Sequence, residues 1–207
     1  MSAISLWRDA NPLILASKSA IRATMLRNAG LPVLTIAAAI DERALSAHLD
    51  ASTDLGTETA RHLAQEKALA VSRRHPDHYV IGADQTLALK NHLFHKPATF
   101  REAKDQLKQL SGQTHRLTSA AALARNGETL FCDSDQAHLA MRVLTDSEIM
   151  RYLEAVKDDA LTSVGAYQLE SLGIHLFERI EGDYFTILGL PLLVMLQKLR
   201  EMELIGP

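Results

Sequence analysis

LILASKSAIRATMLRNAG, residues 13 to 30, combines a short apolar run, a polar interruption and a mixed segment that ends in glycine. Leu13 to Ala16 predict a buried strand, because the apolar run is short and is ended by polar residues. Ala20 to Ala29 predict a helix, and Gly30 is typical of the residue that caps a helix C-terminus. A buried strand that leads into a helix is typical of the start of an α/β fold.

Strands and helices continue to alternate through the first half of the chain, and helices close it. Between them, two β-rich stretches flank Asn126-Gly127, the preferred dipeptide of a two-residue hairpin turn. This order predicts a mixed α/β sheet flanked by helices, in a single domain over residues 1–207 with two lobes around a central cleft. The other predicted elements are a strand at Val33 to Ile36, a helix at Glu58 to Arg73, a strand at Tyr79 to Ile81 that leads to Gly82 to Gln85, an extended stretch at Thr86 to Leu89, helices started by capping boxes at Thr99 to Glu102 and Thr145 to Glu148, and a last helix near Pro191.

The composition limits the classes of function. A formal net charge of -3 gives no basic face for a nucleic acid backbone, so we expect no nucleic-acid partner. The one cysteine, Cys132, excludes an internal disulfide and a zinc site built on several thiolates. The longest apolar run, near Ile187 to Leu196, contains Gly189 and Pro191 and is too short to span a bilayer. Because the N-terminus lacks a signal-peptide pattern, we expect a cytoplasmic protein with no membrane partner.

The start of the first predicted helix carries an unusual charge. With Ser19 as the N-cap, Arg22 occupies the third helical position, where the two capping boxes place glutamate. Lys18 and Arg22 are each unfavourable there by about 0.3–1 kcal/mol, because a helix N-terminus carries partial positive charge. An anion held by free N–H groups, by the Ser17 and Ser19 hydroxyls and by these cations would remove the conflict. The alternative is an exposed helix start with solvated side chains.

Four further charged residues are unusual for structure alone. Lys67 lies in the middle of an apolar helix stripe, where it either snorkels past alanines to water or faces a cleft. Asp84 follows a predicted buried strand, where it either starts a turn or serves a ligand beyond the strand's carboxyl end. Glu42, after the second predicted strand, adds a carboxylate of the kind that Mg²⁺ prefers. Lys96 before Pro97 is either a phosphate-contacting cation or a loop lysine.

These positions fall in an ordered series of motifs that resembles one family. Leu13 to Arg22, LILASKSAIR, resembles the opening LILAS-x-S-P-R-R of the Maf pyrophosphatases. The matching blocks keep the family's order and extend from Leu13 almost to the C-terminus, so the set is specific although no single block is. The other blocks are Asp41-Glu42, Lys67-Ala68, Ile81 to Thr86 (IGADQT), Lys96-Pro97, Leu110-Ser111-Gly112, Gly165-Ala166-Tyr167, Gly182-Asp183-Tyr184 and Gly189 to Leu192.

The resemblance implies a fold, an activity and a set of site residues. The fold is an elongated α/β structure with a cleft between two lobes, usually in a homodimer. The activity is the hydrolysis of a nucleoside triphosphate to its monophosphate and pyrophosphate, a house-cleaning reaction that depends on a divalent cation, Mg²⁺ or Mn²⁺. By motif, Ser17, Ser19 and Arg22 look like the phosphate-binding segment. The catalytic residues are expected to be Asp84, Glu42, Lys67 and Lys96, with Asp84 as the proton acceptor, and the metal ligands Asp84, Glu42 and Glu170.

The chain departs from the family pattern at positions that bear on its function. Ile21 replaces the first arginine of the opening motif, which favours the other reading of the family, a non-catalytic nucleotide sensor that regulates cell division. Gln85 and Glu170 together look more like the subfamily that hydrolyses 7-methyl-GTP than the one that acts on dTTP and UTP. A carboxylate suits a guanine edge, because it can accept from N1–H and from the exocyclic amine. Gln85 and Glu170 are therefore expected to contact the substrate.

Overall fold

In the computed structural model, which describes residues 6–46, 54–90 and 92–206, seven strands form a sheet flanked by helices. The strands are β1 (Leu13–Leu15), β2 (Val33–Thr35), β3 (Val80–Leu89), β4 (His92–Phe94), β5 (Thr114–Arg125), β6 (Glu128–Met141) and β7 (Phe177–Glu181). Their order across the sheet is β2-β1-β3-β5-β6-β7, and β4 pairs with β3. β1 runs parallel to β2 and β3, whereas the β3–β4 and β6–β7 pairs are antiparallel. The predicted mixed α/β sheet is therefore confirmed.

The five helices that the sequence predicts are present in that order, and two further short helices, at Glu42–Ser46 and Tyr184–Ile187, were not predicted. The helices are α1 (Ala20–Asn28), α2 (Glu42–Ser46), α3 (Leu55–Ser72), α4 (Phe100–Leu110), α5 (Asp146–Val156), α6 (Tyr184–Ile187) and α7 (Leu192–Glu201), with 3₁₀ turns at Lys157–Leu161, Val164–Ala166 and Leu172–Leu176. Gly30 has a φ of +80°, as expected of the residue that ends the first helix. The third helix begins before the predicted Glu58, because the Asp54 side chain accepts a hydrogen bond from the Thr57 N–H and caps it earlier. At the last helix, Pro191 is the N-cap residue.

The local turn and cap signals have different outcomes. Asn126 and Gly127 both have positive φ, +51° and +76°, as a two-residue hairpin turn requires. The capping box at α5 is complete, because the Glu148 N–H donates to the Thr145 hydroxyl and the Thr145 N–H donates to the Glu148 carboxylate. At α4, by contrast, the Glu102 carboxylate accepts from the N–H of the residue before Thr99. Half of that predicted box is therefore wrong, since the extended chain ahead of the cap offers another donor.

The main correction concerns β3. The sequence placed Asp84 just after a strand that leads into Gly82, but β3 is continuous from Val80 to Leu89 and Asp84 lies inside it. Gly82 serves a close contact and not a turn, because α3 packs directly on the strand at this position. A Cβ at position 82 would lie 2.0 Å from the carbonyl oxygen of Ala64. Glycine inside a strand marks such a close backbone approach as well as a turn.

The chain divides into two compact units. The first contains the chain up to Gln85, Ser119–Asp135 and the chain from Gly189 onward, and the second contains Thr86–Thr118 and Gln136–Leu188. In the first unit, α3 packs on β5 through small side chains, which lets the helix approach the sheet closely. These side chains are Ala60, Ala64, Ala68, Ala120, Ala122 and Ala124.

The core of the second unit is built from larger side chains. It gathers residues from α4, α5, β5 and β6, together with residues of the 3₁₀ helices and of the segment between the second and the third of them. Fully or almost fully buried members include Leu107, Leu117, Leu139, Ile149, Leu153 and Tyr167. In neither unit does a described helix have the length and apolar character needed to cross a membrane.

Candidate active site

The start of α1 is the first part of the site. The Ser19 hydroxyl caps the helix by accepting from the Arg22 N–H at 3.4 Å, and the Ser17 hydroxyl accepts from the Ser19 N–H at 3.2 Å. The first turn contains no acidic residue, as the sequence predicted. Both hydroxyls keep a hydrogen that they can donate to an anion, because in these bonds they act as acceptors.

Arg22 is held by backbone carbonyls of the first unit. Its Nε donates to the Gly189 oxygen at 2.7 Å, and its Nη1 donates to the Ala83 oxygen at 2.8 Å and lies 3.4 Å from the Ser17 hydroxyl. Within the described residues, Nη2 of Arg22 donates no hydrogen bond. Burial lowers the pKa of the guanidinium, and the nearby Asp84 and Glu42 carboxylates oppose that shift. Arg22 is thus fixed in place with part of its fork left for a ligand.

Lys67 joins two carboxylates. Its Nζ lies 2.6 Å from Oδ1 of Asp84 and 2.8 Å from Oε1 of Glu42. Lys67 and Asp84 are each only 8% exposed, whereas the Glu42 side chain is 55% exposed. Of the two readings that the sequence left open for Lys67, the structure selects the cluster over a lysine that snorkels to water. We call Arg22, Glu42, Lys67 and Asp84 the charged cluster.

Gly82 explains why Lys67 and Asp84 meet. Asp84 lies two residues after Gly82 in β3 and therefore projects from the same face of the strand. On that face, α3 lies so close that a Cβ on Gly82 would also be 2.6 Å from the N atom of Ala68. Since Lys67 is adjacent to Ala68, the close contact brings its ammonium to the Asp84 carboxylate.

The electrostatics of Asp84 result from opposing effects. Burial raises its pKa above the ordinary value of a carboxyl group, the positive charges of Lys67 and Arg22 lower it, and the negative charge of Glu42 raises it further. Two cations and two carboxylates share this site, so their formal charges cancel. A buried charge is tolerated when it is paired and hydrogen-bonded in this way. A ligand that changes the balance changes the proton affinity of Asp84.

The remaining predicted site residues lie outside the charged cluster. Gln85 follows Asp84 in β3, is half-buried, and donates through Nε2 to the Ser119 hydroxyl at 3.1 Å. Lys96 and Glu170 both belong to the second unit and both are exposed. Lys96 lies between β4 and α4, and Glu170 lies in the segment that follows Tyr167. The structure thus assembles Arg22, Glu42, Lys67 and Asp84, links Ser17 and Ser19 to them through Arg22, and leaves the roles of Gln85, Lys96 and Glu170 as predictions.

Comparison with known families identifies the family of the chain. A family model described as Maf-like protein matches residues 12–202. The chain belongs to the Maf family. The matched range includes the charged cluster and every site residue that the sequence predicted.

Two proteins with named activities are similar to this chain over nearly its whole length. A nucleoside triphosphate pyrophosphatase of Bradyrhizobium diazoefficiens is 53% identical over 205 residues, which cover 98% of this chain and 100% of that protein. A 7-methyl-GTP pyrophosphatase of Brucella abortus is 51% identical over 188 residues, 91% of this chain and 94% of that protein. Among solved structures, a HAM1 protein from Coxiella burnetii covers 62% of this chain and 72% of its own at 15% identity, with a TM-score of 0.41, a similarity too low to identify the fold.

The Maf resemblance implies a divalent cation, and the carboxylates of the charged cluster fit a hard one. Glu42 and Asp84 offer oxygen donors around the Lys67 ammonium. Mg²⁺ is usually bound by one or two carboxylates together with substrate phosphates. Within residues 6–46, 54–90 and 92–206, no group of three or more His, Cys, Asp or Glu side chains is arranged to hold a metal by itself. The donor set therefore suits a cation that the protein shares with a phosphate-bearing ligand.

Sequence reasoning missed the backbone groups of this Maf site. The carbonyls of Ala83 and Gly189 fix the Arg22 guanidinium, and a carbonyl leaves no mark in the residue pattern. It also missed the role of Gly82, although a glycine between a buried strand and an acid was the available signal. Gly189 has a φ of +100°, and a Cβ there would lie 3.1 Å from Nε of Arg22. Both glycines therefore make room at the charged cluster.

Proposed function

We propose that this chain hydrolyses a nucleoside triphosphate between its α- and β-phosphates, releasing a nucleoside monophosphate and pyrophosphate. The observation that carries the proposal is the charged cluster, in which a buried carboxylate lies between two cations beside a helix N-terminus. Such a site has a proton acceptor and donors for developing phosphate charge in one place. The names of the Bradyrhizobium and Brucella relatives support the same reaction.

Asp84 is the proposed proton acceptor. Its Oδ1 accepts from Lys67, so Oδ2 is the oxygen that takes a proton from the attacking water. The water oxygen bonds to phosphorus while the bond from that phosphorus to the α–β bridging oxygen breaks. Because burial raises the pKa of Asp84, its carboxylate is a stronger base than an exposed one.

The cations act on the phosphates. Arg22 and Lys67 stabilise the negative charge that grows on the phosphate oxygens, and Lys96 is proposed for the same role on the family resemblance alone. Removal of one such donor from a dry site typically costs about 2.7–4 kcal/mol of transition-state stabilisation. The Ser17 and Ser19 hydroxyls and the free N–H groups of α1 hold the phosphate chain in place.

A divalent cation, Mg²⁺ or Mn²⁺, is proposed as the cofactor, with Asp84 and Glu42 as its protein ligands and Glu170 as a third candidate. When bound, it supplies Lewis acidity that neutralises phosphate charge. Lys67 bridges the two carboxylates and limits their mutual repulsion. The chain's own part is to keep these oxygens gathered for the cation and its phosphates.

For the base, we propose a modified guanine nucleotide such as 7-methyl-GTP. Gln85 and Glu170 carry this choice, because they match the subfamily with that activity, and the Brucella relative bears the corresponding name. Glu170 would accept hydrogen bonds from the guanine edge. Gln85, which donates from Nε2 to the Ser119 hydroxyl at 3.1 Å, is the second residue proposed to contact the substrate.

The test is a screen for pyrophosphate release from normal and modified nucleoside triphosphates, including 7-methyl-GTP, dTTP and UTP, with Mg²⁺ or Mn²⁺. We expect release from at least one nucleotide, lost on chelation of the cation. Tight nucleotide binding without any pyrophosphate release would instead favour the sensor of cell division, which the replacement of an arginine by Ile21 suggested. Binding of single-stranded nucleic acid in place of nucleotides would contradict both proposals.

The setting of the activity is proposed on the family resemblance. We propose that the chain acts in the cytoplasm as a homodimer and that its two units form a single folding domain. Light scattering coupled to gel filtration measures the mass of the assembly, and a monomer at working concentration would contradict the dimer. Two separate unfolding transitions by calorimetry would contradict the single domain.

A further inference from the structure

The proposed reaction assigns overlapping tasks to Lys67 and to the divalent cation. The Lys67 ammonium lies 2.6 Å from Oδ1 of Asp84 and 2.8 Å from Oε1 of Glu42. The same two carboxylates are the proposed ligands of the divalent cation, and phosphate oxygens are the proposed partners of the ammonium. The ammonium and the metal ion therefore draw on the same carboxylate oxygens.

The packing of α3 keeps the Lys67 ammonium at these carboxylates. Lys67 is 8% exposed, and the helix is fixed beside it, since a Cβ on Gly82 would lie 2.6 Å from the N atom of Ala68. A buried ammonium is stable only where it is paired and hydrogen-bonded. Loss of one partner from a buried ion pair is strongly destabilising. Lys67 therefore leaves Asp84 and Glu42 only when another anion takes their place.

The balance of charge in the charged cluster disfavours a divalent cation that enters alone. Arg22 and Lys67 carry positive charge, Glu42 and Asp84 carry negative charge, and the formal sum is zero. Both cations lie close enough to Asp84 to lower its pKa. A metal ion that enters alone meets carboxylates that are already paired, and the guanidinium and the ammonium repel it. A phosphate chain adds the negative charge that reverses this balance.

We propose that Lys67 is a gate for the divalent cation, pairing with Asp84 and Glu42 in place of the cation until the phosphate chain of a nucleotide takes over the ammonium. The inference rests on the proposed function for the identity of the phosphate-bearing ligand. When the ammonium moves to phosphate oxygens, the carboxylate oxygens that it leaves become available as metal ligands. Lys67 thereby couples the two binding events, so each ligand raises the affinity for the other.

The test measures the binding of Mn²⁺ to the protein without nucleotide, from the paramagnetic resonance signal of the free ion. Lys67→Met leaves the charged cluster with a net negative charge and should bind Mn²⁺ at least about tenfold more tightly than the wild-type protein. Lys67→Arg keeps the positive charge and should bind Mn²⁺ as weakly as the wild-type protein. Lys108→Met is the matched control, because it removes a lysine that lies 2.7 Å from Asp146 outside the cluster, and it should change nothing.

Two further variants locate the added binding and guard against misfolding. The double variant K67M/E42Q should lose most of the gain, because one of the two proposed metal ligands is then a neutral amide. Lys67→Gln serves if Lys67→Met does not fold, since its amide can still donate to the carboxylates without adding charge. Circular dichroism shows which variants are folded.

Inorganic tripolyphosphate tests the coupling, because it carries the phosphate chain without a nucleoside. Calorimetry gives its Kd with and without Mn²⁺. The factor by which Mn²⁺ strengthens this binding should be smaller in Lys67→Met than in the wild-type protein, since Mn²⁺ then binds the cluster without help. The complex of Mn²⁺ with tripolyphosphate in solution is the same in both experiments, so the difference belongs to the protein.

Several results would overturn the gate. One is a folded Lys67→Met protein with the Mn²⁺ affinity of the wild-type protein, and another is an equal coupling factor in the two proteins. A gain in Mn²⁺ affinity that K67M/E42Q retains in full would place the ion elsewhere and overturn it as well.

Failure of the proposed function is visible separately, because the Mn²⁺ measurements need no turnover. A wild-type protein that releases no pyrophosphate from any nucleotide contradicts the proposed reaction and leaves the comparison of Mn²⁺ affinities intact. If the wild-type protein releases pyrophosphate and Lys67→Met shows no gain in Mn²⁺ affinity, only the gate is wrong.

Discussion

The two units bury polar side chains of opposite kinds. In the first unit, Lys67 and Asp84 are each 8% exposed and form an ion pair of 2.6 Å. In the second unit, His115 and Tyr167 are 1% and 5% exposed and meet at 2.7 Å without a formal charge. Burial and distance are thus nearly the same in both places, and the difference lies in charge.

Charge decides what a ligand can change at each place. The pKa of Asp84 is raised by burial and lowered by Lys67 and Arg22, so an added phosphate or cation shifts the balance. Burial lowers the pKa of His115 to about 4 and raises that of Tyr167 well above its ordinary value, so this pair stays neutral at physiological pH. A charged pair of this kind suits proton transfer, and a neutral pair suits the holding of geometry.

Asp84→Asn should have the largest effect. If the charged cluster performs the chemistry, loss of the base lowers kcat by about 10²–10⁴-fold, because amide oxygen does not accept a proton from water. Asp133→Asn is the matched control, since Asp133 pairs with Arg61 at 3.1 Å on the surface. Initial rates of pyrophosphate release measure both variants. Full turnover by Asp84→Asn would show that the charged cluster does not perform the chemistry.

Lys67→Met should lower kcat by about 10²–10³-fold through loss of a buried donor. It should also move the acidic limb of the pH–rate profile to higher pH. Lys67 lowers the pKa of Asp84, so without it the pKa rises and the carboxylate is protonated at a higher pH. Lys108→Met is the control, because Lys108 lies 2.7 Å from Asp146 in an exposed ion pair. An acidic limb that does not move would show that Asp84 is not the titrating base.

Gly82→Ala tests the contact that brings the charged cluster together. A Cβ at 2.0 Å from the carbonyl oxygen of Ala64 forces α3 and β3 apart, which should destabilise the protein by about 3 kcal/mol and abolish most activity. Gly206→Ala is the matched substitution, because its Cβ would meet only the flexible end of Arg8, at 2.9 Å. Urea unfolding measures the free energy of unfolding of both. Equal values for the two variants would contradict the close-approach argument.

His115 predicts acid sensitivity in the second unit. Its pKa is about 4 in the folded protein and about 6.5 when unfolded, so the unfolded state binds more protons between these values. The free energy of unfolding should therefore fall as pH drops below about 6.5, by up to about 3 kcal/mol near pH 4. His115→Leu should flatten this slope, whereas the exposed His175→Gln should not. Denaturant titrations from pH 8 to pH 4 measure the free energy of unfolding of each variant. If His115→Leu shows the same dependence on pH as the wild-type protein, groups other than His115 cause it.

Local signals account for the elements that the sequence predicted well. The hairpin turn at Asn126-Gly127 and the cap at Thr145 depend on residues within a few positions of each other, so their chemistry is visible in the sequence. The placement of Asp84 was wrong because a glycine after a strand signals either a turn or a close helix, and only the packing of α3 distinguishes them. The sequence also left two readings open for Lys67, because only the packing of α3 shows whether its ammonium meets Asp84 or extends to water.

The sequence by itself determined the family, the alternating α/β order and the residue types of the site, because motifs and caps are written in neighbouring residues. The tertiary structure alone decided which of those residues meet. Arg22 is fixed by carbonyls 61 and 167 residues away in the chain, and His115 meets a hydroxyl 52 residues away. Such contacts depend on how helices and strands pack. A backbone oxygen is the same for every residue type, so the sequence does not show which oxygen takes part.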